Sequence, residues 1–194
     1  MIKVNLEIED ELMEFNIPEG WNEVSVKQSA DLTSINREGK SDIEIIIEII
    51  SVLSKIETDI IYQMNTEDFN KLIEAVSFTV TPIDSVLAES IMINEEEYFL
   101  KKDFSQLTMG ELISIETIIK QHEGSLAPAM SQLLCIFLRK KKDNGKLESF
   151  KNDFMEREKM FNDVIITDVN NIFLFFLDGN NLSKNSMKDY LEEK

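Results

Sequence analysis

A short sequence motif that starts a helix occurs twice, 83 residues apart, and constrains the fold more than any other feature. In the first copy Ser25 stands three residues before Gln28, and in the second Thr108 stands three residues before Glu111. This spacing is typical of a capping box, in which each side chain hydrogen-bonds the backbone N–H of the other residue. In both copies an aromatic residue lies four positions before the hydroxyl residue, and an aliphatic residue directly precedes it. The pattern predicts two capped helices and suggests an internal two-fold repeat.

Each of these helices is predicted to follow a β-hairpin. Residues 2–8 alternate between apolar and polar side chains, and residues near 11–17 can form the returning strand. The second hairpin is predicted from two apolar segments, 91–93 and 98–100, which flank an acidic turn at 94–97. The sequence therefore divides into an N-terminal half-unit, residues 1–90, and a C-terminal half-unit, residues 91–194. Each half-unit contains a hairpin and helices, and the two are predicted to share one core.

A third capping box, Ser41 with Glu44, opens the most apolar predicted helix, over residues 42–56. Its isoleucine content alone favours a strand, but its polar residues recur with the period of a helix. They form one stripe, consisting of Glu44, Glu48, Ser51 and Lys55. The rest of this helix surface is predicted to be buried, either at the centre of the core or against a partner.

The remaining periodic segments complete a mainly α (α+β) fold, a helical bundle with two small β-hairpins. Thr66 is predicted to cap a helix that ends near Val76, and Thr81-Pro82 is a possible start for a short one. Asp143-Asn-Gly145 is predicted to form a turn. The other predicted helices are the first capped helix at about 26–36, then 109–121, an apolar helix from about 125–128 to Arg139, 147–161, a segment around 169–176, and 186–193.

The composition restricts the classes of function. The net charge of −17 over 194 residues works against direct binding to nucleic acid, where clustered Lys and Arg supply most of the affinity, so such binding is not expected. The longest apolar run, residues 172–177, is too short to cross a bilayer, and no membrane association is predicted. A single cysteine excludes an intrachain disulfide. The prediction is a soluble protein of a cytoplasm.

Residues typical of catalytic and metal sites are sparse. His122 is the only histidine and is predicted to lie at a helix end, while Cys135 lies in an apolar run and is predicted to be a buried thiol. The segment 178–181 resembles the start of a calcium loop, but its glycine is misplaced, and a turn explains it better. No catalytic, cofactor-binding or metal-binding residue is predicted.

Two segments are candidates for protein–protein contacts. The run 172–177 places rings on more than one helical face, which favours either a well-filled core or burial against a second chain. A basic run follows the apolar helix, where it complements the helix dipole or forms a docking patch for an acidic neighbour. The predicted interaction residues are Phe173, Phe175, Phe176, Arg139, Lys140, Lys141 and Lys142.

Residues 104–116, Phe-Ser-Gln-Leu-Thr-Met-Gly-Glu-Leu-Ile-Ser-Ile-Glu, resemble a segment of small acidic proteins of tailed bacteriophages. Those proteins have an aromatic residue, Leu-Thr, a helix-opening Gly or Lys and a Phe-Ile-Asp-Leu-Glu-like stretch. A helix ending in aliphatic residues and Arg is matched by residues 133–139, and an aromatic-rich helix by residues 173–176. The chain departs from the pattern at 140–142, where three lysines stand in place of an expected proline. The resemblance implies a structural or assembly component with no active site.

These observations together favour a non-enzymatic virion structural protein, a ring, neck or tail subunit made in the bacterial host cytoplasm. Its expected partners are other virion or assembly proteins, among them copies of itself in a ring. One alternative is a tail assembly chaperone that is absent from the mature particle. Another is an acidic DNA mimic that inhibits a host protein, which predicts two rows of carboxylates at phosphate-like spacing.

Overall fold

The protein has the predicted mixed α+β fold and is mainly helical. A computed structural model describes residues 1–8, 11–84, 88–101, 106–150, 154–172 and 174. Two short 3-10 helices, Trp21–Glu23 and Ser77–Val80, accompany the main elements, and residues 166–172 are also helical. The main elements are β1 Ile2–Ile8, β2 Glu11–Ile17, α1 Val26–Thr33, α2 Asp42–Ser54, α3 Thr58–Tyr62, α4 Thr66–Val76, β3 Ser90–Ile93, β4 Glu96–Leu100, α5 Met109–Gln121, α6 Met130–Phe137, β5 Leu138–Arg139 and α7 Phe154–Asn162.

Both predicted hairpins are present. Strands β1 and β2 pair antiparallel from Ile2 opposite Ile17 to Ile8 opposite Glu11. Strands β3 and β4 turn at Asn94 and Glu95, both of which have positive φ, the backbone that a two-residue hairpin turn requires. The acidic turn is therefore shorter than the predicted 94–97. Strand β4 also pairs with β5, which extends the second hairpin into a three-stranded sheet.

The three predicted capping boxes are all formed. The backbone N–H groups of Gln28, Glu44 and Glu111 donate to their cap hydroxyls at 3.2, 3.3 and 3.3 Å. Each of these three side chains accepts a hydrogen bond from its cap residue's N–H in return. The caps of α1 and α5 have nearly the same backbone angles, −77° and 160° against −74° and 158°. The capping-box motif is thus repeated with the same local geometry, although α1 has 8 residues and α5 has 13.

The central helix of the core is α6, not α2. Every residue of α6 except Gln132 is buried, and the helix packs against α1, α5 and α7. Helix α2 buries the side of Ile47, Ile50 and Leu53, but Ile43 is 60% exposed. The first turn of α2 is therefore not covered by the core of this chain, and the alternative that a partner buries it stays a prediction.

Backbone pairing joins the segment at the start of α1, residues 24–26, to residues 164–166. Val26 N–H donates to Val164 O and Ile166 N–H donates to Val24 O, both at 2.8 Å. Ser25 and Ile165 form the antiparallel bridge between these bonds. The buried apolar residues of both predicted half-units belong to one cluster, which extends from Ile17 to Ile172.

Several predicted helix boundaries are corrected. Helix α1 ends at Thr33 rather than near residue 36, and α4 is capped by Asn65, whose side chain accepts from Asp68 N–H, rather than by Thr66. The apolar helix starts at Met130, after two turns at 125–129, and ends at Phe137. Residues 147–150 are not helical, because Leu147 pairs with Lys141 in a bridge. Residues 82–84 are not helical, and the helix predicted at 186–193 lies outside the described residues.

Candidate functional site

The predicted basic run lies in a hairpin rather than at the end of a helix. Strand β5 begins immediately after α6, and the chain turns at 142–146, where Lys142 N–H donates to Lys146 O at 2.9 Å. Gly145 takes a φ of 75°, which confirms the predicted turn and explains the glycine there. We call residues 138–147 the basic hairpin. Its side chains differ in direction, because residue 139 is buried whereas residues 141 and 142 are exposed.

Arg139 points into the protein and is only 1% exposed. Its Nη1 donates to Cys135 O in the last turn of α6, and its Nη2 donates to a carboxylate oxygen of Glu111 at 3.4 Å. The guanidinium carbon also lies 5.1 Å from the centroid of the Phe150 ring, within the range of a cation–π contact. Burial lowers the pKa of Arg139, and the nearby charge of Arg157 lowers it further. Arginine nevertheless stays protonated in proteins, so a buried positive charge remains.

Glu111 is the buried carboxylate that faces this cation. As the third residue of α5 it completes the capping box, accepting from Thr108 N–H at 2.7 Å, and it is 2% exposed. Lys101 Nζ donates to the same carboxylate at 2.8 Å. Burial acts to raise the pKa of Glu111, but the hydrogen bonds from Lys101 and Thr108 outweigh it, and the pKa is lowered. The Glu111 carboxylate therefore pairs with two cations and also caps the N-terminus of α5.

The three lysines of the run have different surroundings. Lys140 pairs with Glu96 of β4 and lies 5.4 Å from the centroid of the Tyr98 ring. Lys141 stands over the ring of Phe99, with Nζ 3.5 Å from its centroid. Lys142 is exposed and forms no ion pair with any residue that the structure describes. The cations open to a partner are therefore those of Lys141 and Lys142, to which the hairpin adds the exposed Lys146.

An exposed apolar face lies on α5 and was not predicted. Met109 is 70% exposed, Leu112 38% and Ile113 58%, and their spacing of three and four residues places them on one side of the helix. The opposite side buries Glu111, Ile115 and Ile118. The signal was present in the sequence, since the apolar residues of α5 lie on more than one side of the helix and only one side can face the core. We call Met109, Leu112 and Ile113 the α5 face.

The predicted aromatic cluster, Phe173, Phe175 and Phe176, lies outside the residues that the structure describes. Next to them Ile172 is buried, and Leu174 is 46% exposed. The role of the three rings in protein contacts stays a prediction.

The single cysteine and histidine lie where the sequence predicts. Cys135 is buried in α6, its Sγ donates to Ser131 O at 3.2 Å, and burial raises the pKa of the thiol to about 12. A thiol with this pKa is protonated at neutral pH and is a poor nucleophile. His122 is the C-cap residue of α5.

In the described part of the chain, metal-binding clusters and membrane-spanning helices are both absent. No group of three or more His, Cys, Asp or Glu side chains there could hold a metal ion. Within the same residues no helix combines the length and apolar character that crossing a membrane requires.

Comparisons with protein-family models, curated proteins and solved structures found no match to this chain.

Proposed function

We propose that this protein is a non-enzymatic structural subunit of a tailed bacteriophage particle, in a ring, neck or tail position, and that it acts through contacts with copies of itself and other virion proteins. The observations that carry the proposal are the α5 face and, separately, the exposed lysines of the basic hairpin. The three apolar side chains of the face are exposed, and the hairpin presents Lys141, Lys142 and Lys146 on a chain of net charge −17. Exposed apolar side chains and exposed cations are both found in the surfaces by which proteins bind one another.

The charge distribution supports a head-to-tail contact between copies. A chain with a large negative charge repels its copies unless a local positive surface meets an acidic one. Lys142 and Lys146 are exposed cations that pair with no described acidic residue, so they are open to a carboxylate of a neighbour. A head-to-tail contact uses two different surfaces of each subunit, and it generates a ring when the rotation closes.

The bacteriophage assignment rests on the resemblance of residues 104–139. Their described part contains the capped start of α5, the whole of α6 and the arginine that follows it. The same segment carries the α5 face and begins the basic hairpin, so the resemblance and the exposed surfaces lie in one part of the chain. Expression in a bacterial host cytoplasm and incorporation into the particle belong to the same proposal.

Density-gradient fractionation of a native lysate tests the location. We expect the protein to sediment with intact particles at a fixed copy number per particle. Recovery only in light fractions, bound to one other protein or to none, would remove the virion assignment and favour an assembly chaperone or an inhibitor of a host protein.

Sedimentation velocity of purified variants tests the surface. Ile113→Gln is expected to weaken self-association roughly thirtyfold, which corresponds to about 2 kcal/mol for an interface side chain at a contact centre. Ile43→Gln is the matched control, because Ile43 is 60% exposed on α2, close to the 58% of Ile113. Equal association constants for the two variants would show that the α5 face is not the contact.

A charge reversal tests the contribution of the hairpin. Lys142→Glu is expected to slow association at low salt, because like charges then meet at the border of the contact. The difference from the unmodified chain should shrink as ionic strength rises, since salt screens exposed charges. An effect that does not change with salt would contradict the electrostatic explanation.

A further inference from the structure

The outer edge of strand β1 has no strand partner in the described part of the chain. Strand β1 pairs with β2 along all of its seven residues, and these two strands complete that sheet. Successive residues of an antiparallel strand direct their N–H and C=O groups to opposite sides, so about half of these groups face away from β2. Lys3 and Asn5 of β1 are exposed. An edge of this length is a template on which a second strand can pair.

Strand β1 lacks most of the features that protect the edges of sheets from such pairing. Its seven residues include no proline, and its register with β2 runs without a bulge. Lysine is another protective feature, and β1 contains one, Lys3. A lysine nevertheless favours pairing with a strand that has an acidic residue directly opposite it. The residue that would face Lys3 therefore decides which strand fits this edge.

The sequence of β1 is complementary to itself. If two copies of β1 run antiparallel about a two-fold axis at Asn5, Lys3 of each copy lies opposite Glu7 of the other. The remaining opposed pairs are apolar on both sides, Ile2 with Ile8 and Val4 with Leu6. Opposite charges and apolar residues at directly opposed positions both stabilise a sheet. Moving the axis to a neighbouring residue shortens the pairing and separates Lys3 from Glu7, so this register is the most favourable one.

The outer edge of β2 does not offer the same match. Two copies of β2 paired about their central residue would place Glu14 opposite Glu14, and like charges at opposed positions are destabilising. The same pairing would place Glu11 opposite Ile17, which is already buried in the core of its own chain. The hairpin therefore has one edge that suits a second copy and one that does not.

We propose that β1 pairs antiparallel with β1 of a second copy of this chain, across a two-fold axis at Asn5. The product is a four-stranded sheet in the order β2-β1-β1-β2. Ile2, which is 40% exposed, gains an apolar neighbour in this sheet. Both copies use the same strand, so the contact is isologous and differs from the head-to-tail contact proposed above. It does not depend on the bacteriophage assignment, because it follows from the edge and the sequence of β1.

Sedimentation velocity of two charge variants of the full-length chain tests the register. Lys3→Glu places glutamate opposite Glu7, and Glu7→Lys places lysine opposite Lys3, so each variant alone should associate about tenfold more weakly. In an equimolar mixture opposite charges meet at both positions, and association should return to that of the unmodified chain. Lys3 also pairs with Glu14 of its own chain at 2.7 Å. Mixing cannot restore that intrachain contact, so recovery in the mixture reports the contact between copies.

A cysteine cross-link tests the position of the axis. Directly opposed residues of an antiparallel pair have Cα atoms about 4.5–5.5 Å apart, within the range of a disulfide. With oxidised glutathione, Asn5→Cys should therefore form a disulfide-linked dimer. Asn16→Cys is the matched control, because Asn16 is an exposed asparagine of β2 that lies outside the proposed pairing. The natural Cys135 is buried and does not compete.

These experiments separate the β1 contact from the head-to-tail contact. Cross-linking of Asn5→Cys that persists when Ile113→Gln is added supports the β1 contact, whatever the fate of the α5 face. A mixture of the charge variants that associates no more tightly than either variant alone would overturn the β1 contact. Equal cross-linking of Asn5→Cys and Asn16→Cys would overturn it as well. A purified chain that shows neither recovery nor cross-linking would leave the β1 edge to a strand of a different protein, and the proposal would be wrong.

Discussion

Removing the carboxylate of Glu111 is expected to destabilise the protein far more than the loss of a helix cap. In the folded chain this side chain accepts from Lys101 at 2.8 Å, from Thr108 N–H at 2.7 Å and from Arg139 at 3.4 Å. Glu111→Ala leaves the buried cation of Arg139 without its carboxylate. Breaking a buried ion pair by removing one partner costs about 3–5 kcal/mol. We expect about 3 kcal/mol, the lower end, because Lys101 is partly exposed and can turn towards water.

The chain contains a matched control for the cap itself. Glu44 completes an equivalent capping box on α2, where it accepts from Ser41 N–H at 2.7 Å, but its side chain is exposed. Glu44→Ala therefore removes the same cap contact without uncovering a buried charge. Its effect on the free energy of unfolding should be much smaller, because water replaces the lost acceptor. The difference between the two variants isolates the contribution of burial and charge.

Urea unfolding followed by far-ultraviolet circular dichroism measures both variants, and calorimetry gives their melting temperatures. For a chain of this size a loss of about 3 kcal/mol lowers Tm by roughly 6–12 °C. The double variant Glu111→Met with Arg139→Met should recover much of the loss, because an apolar pair of similar volume often replaces a buried ion pair without cost. Equal losses for Glu111→Ala and Glu44→Ala would refute the reasoning.

Three further predictions concern pH, thiol chemistry and a turn. The pKa of Glu111 is lowered from its ordinary 4.5 in the folded chain, so the ionised carboxylate stabilises the fold above pH 4.5, and this stabilisation is lost as the pH falls through the folded pKa. In acid unfolding, the Glu111→Gln variant should therefore lose less free energy of unfolding than the unmodified chain over that pH range. Cys135 should react with a thiol reagent only as fast as the chain opens, because burial raises its pKa to about 12; rapid labelling of the native protein at neutral pH would contradict its burial. Glu95→Gly should raise the free energy of unfolding by about 0.5–1 kcal/mol, since glycine adopts the left-handed backbone without strain, whereas Glu95→Ala should not.

Features that depend on neighbouring residues were predictable from the sequence. The capping boxes require only a hydroxyl residue and a carboxylate or amide three positions later, and all three are present. The hairpin at 90–100 and the turn at Gly145 follow from strand alternation and from turn residues in the same way. The cap of α4 was equally local but was predicted wrongly as Thr66, although Asn65 is the more favourable cap residue of the two.

Features that depend on distant residues were not predictable. The apolar run before Arg139 reads as one continuous helix, because a buried strand and a buried helix cannot be distinguished by periodicity in so short a run. The strand forms because β4, about 40 residues earlier, supplies its pairing partner. Likewise the burial of Arg139 depends on Glu111, which is 28 residues away, so a basic run that reads as surface contains one interior cation.

The backbone bonds between residues 24–26 and 164–166 have a consequence for the order in which the chain folds. They connect positions about 140 residues apart, and closing so long a loop carries a large entropic cost before any contact compensates for it. Such non-local pairing raises the contact order and slows folding. During synthesis the segment around Val24 leaves the ribosome long before Val164 exists, so this pairing can form only after residues 164–166 have been made. Local elements such as α1 can form earlier, and they then wait for a distant partner that completes their packing.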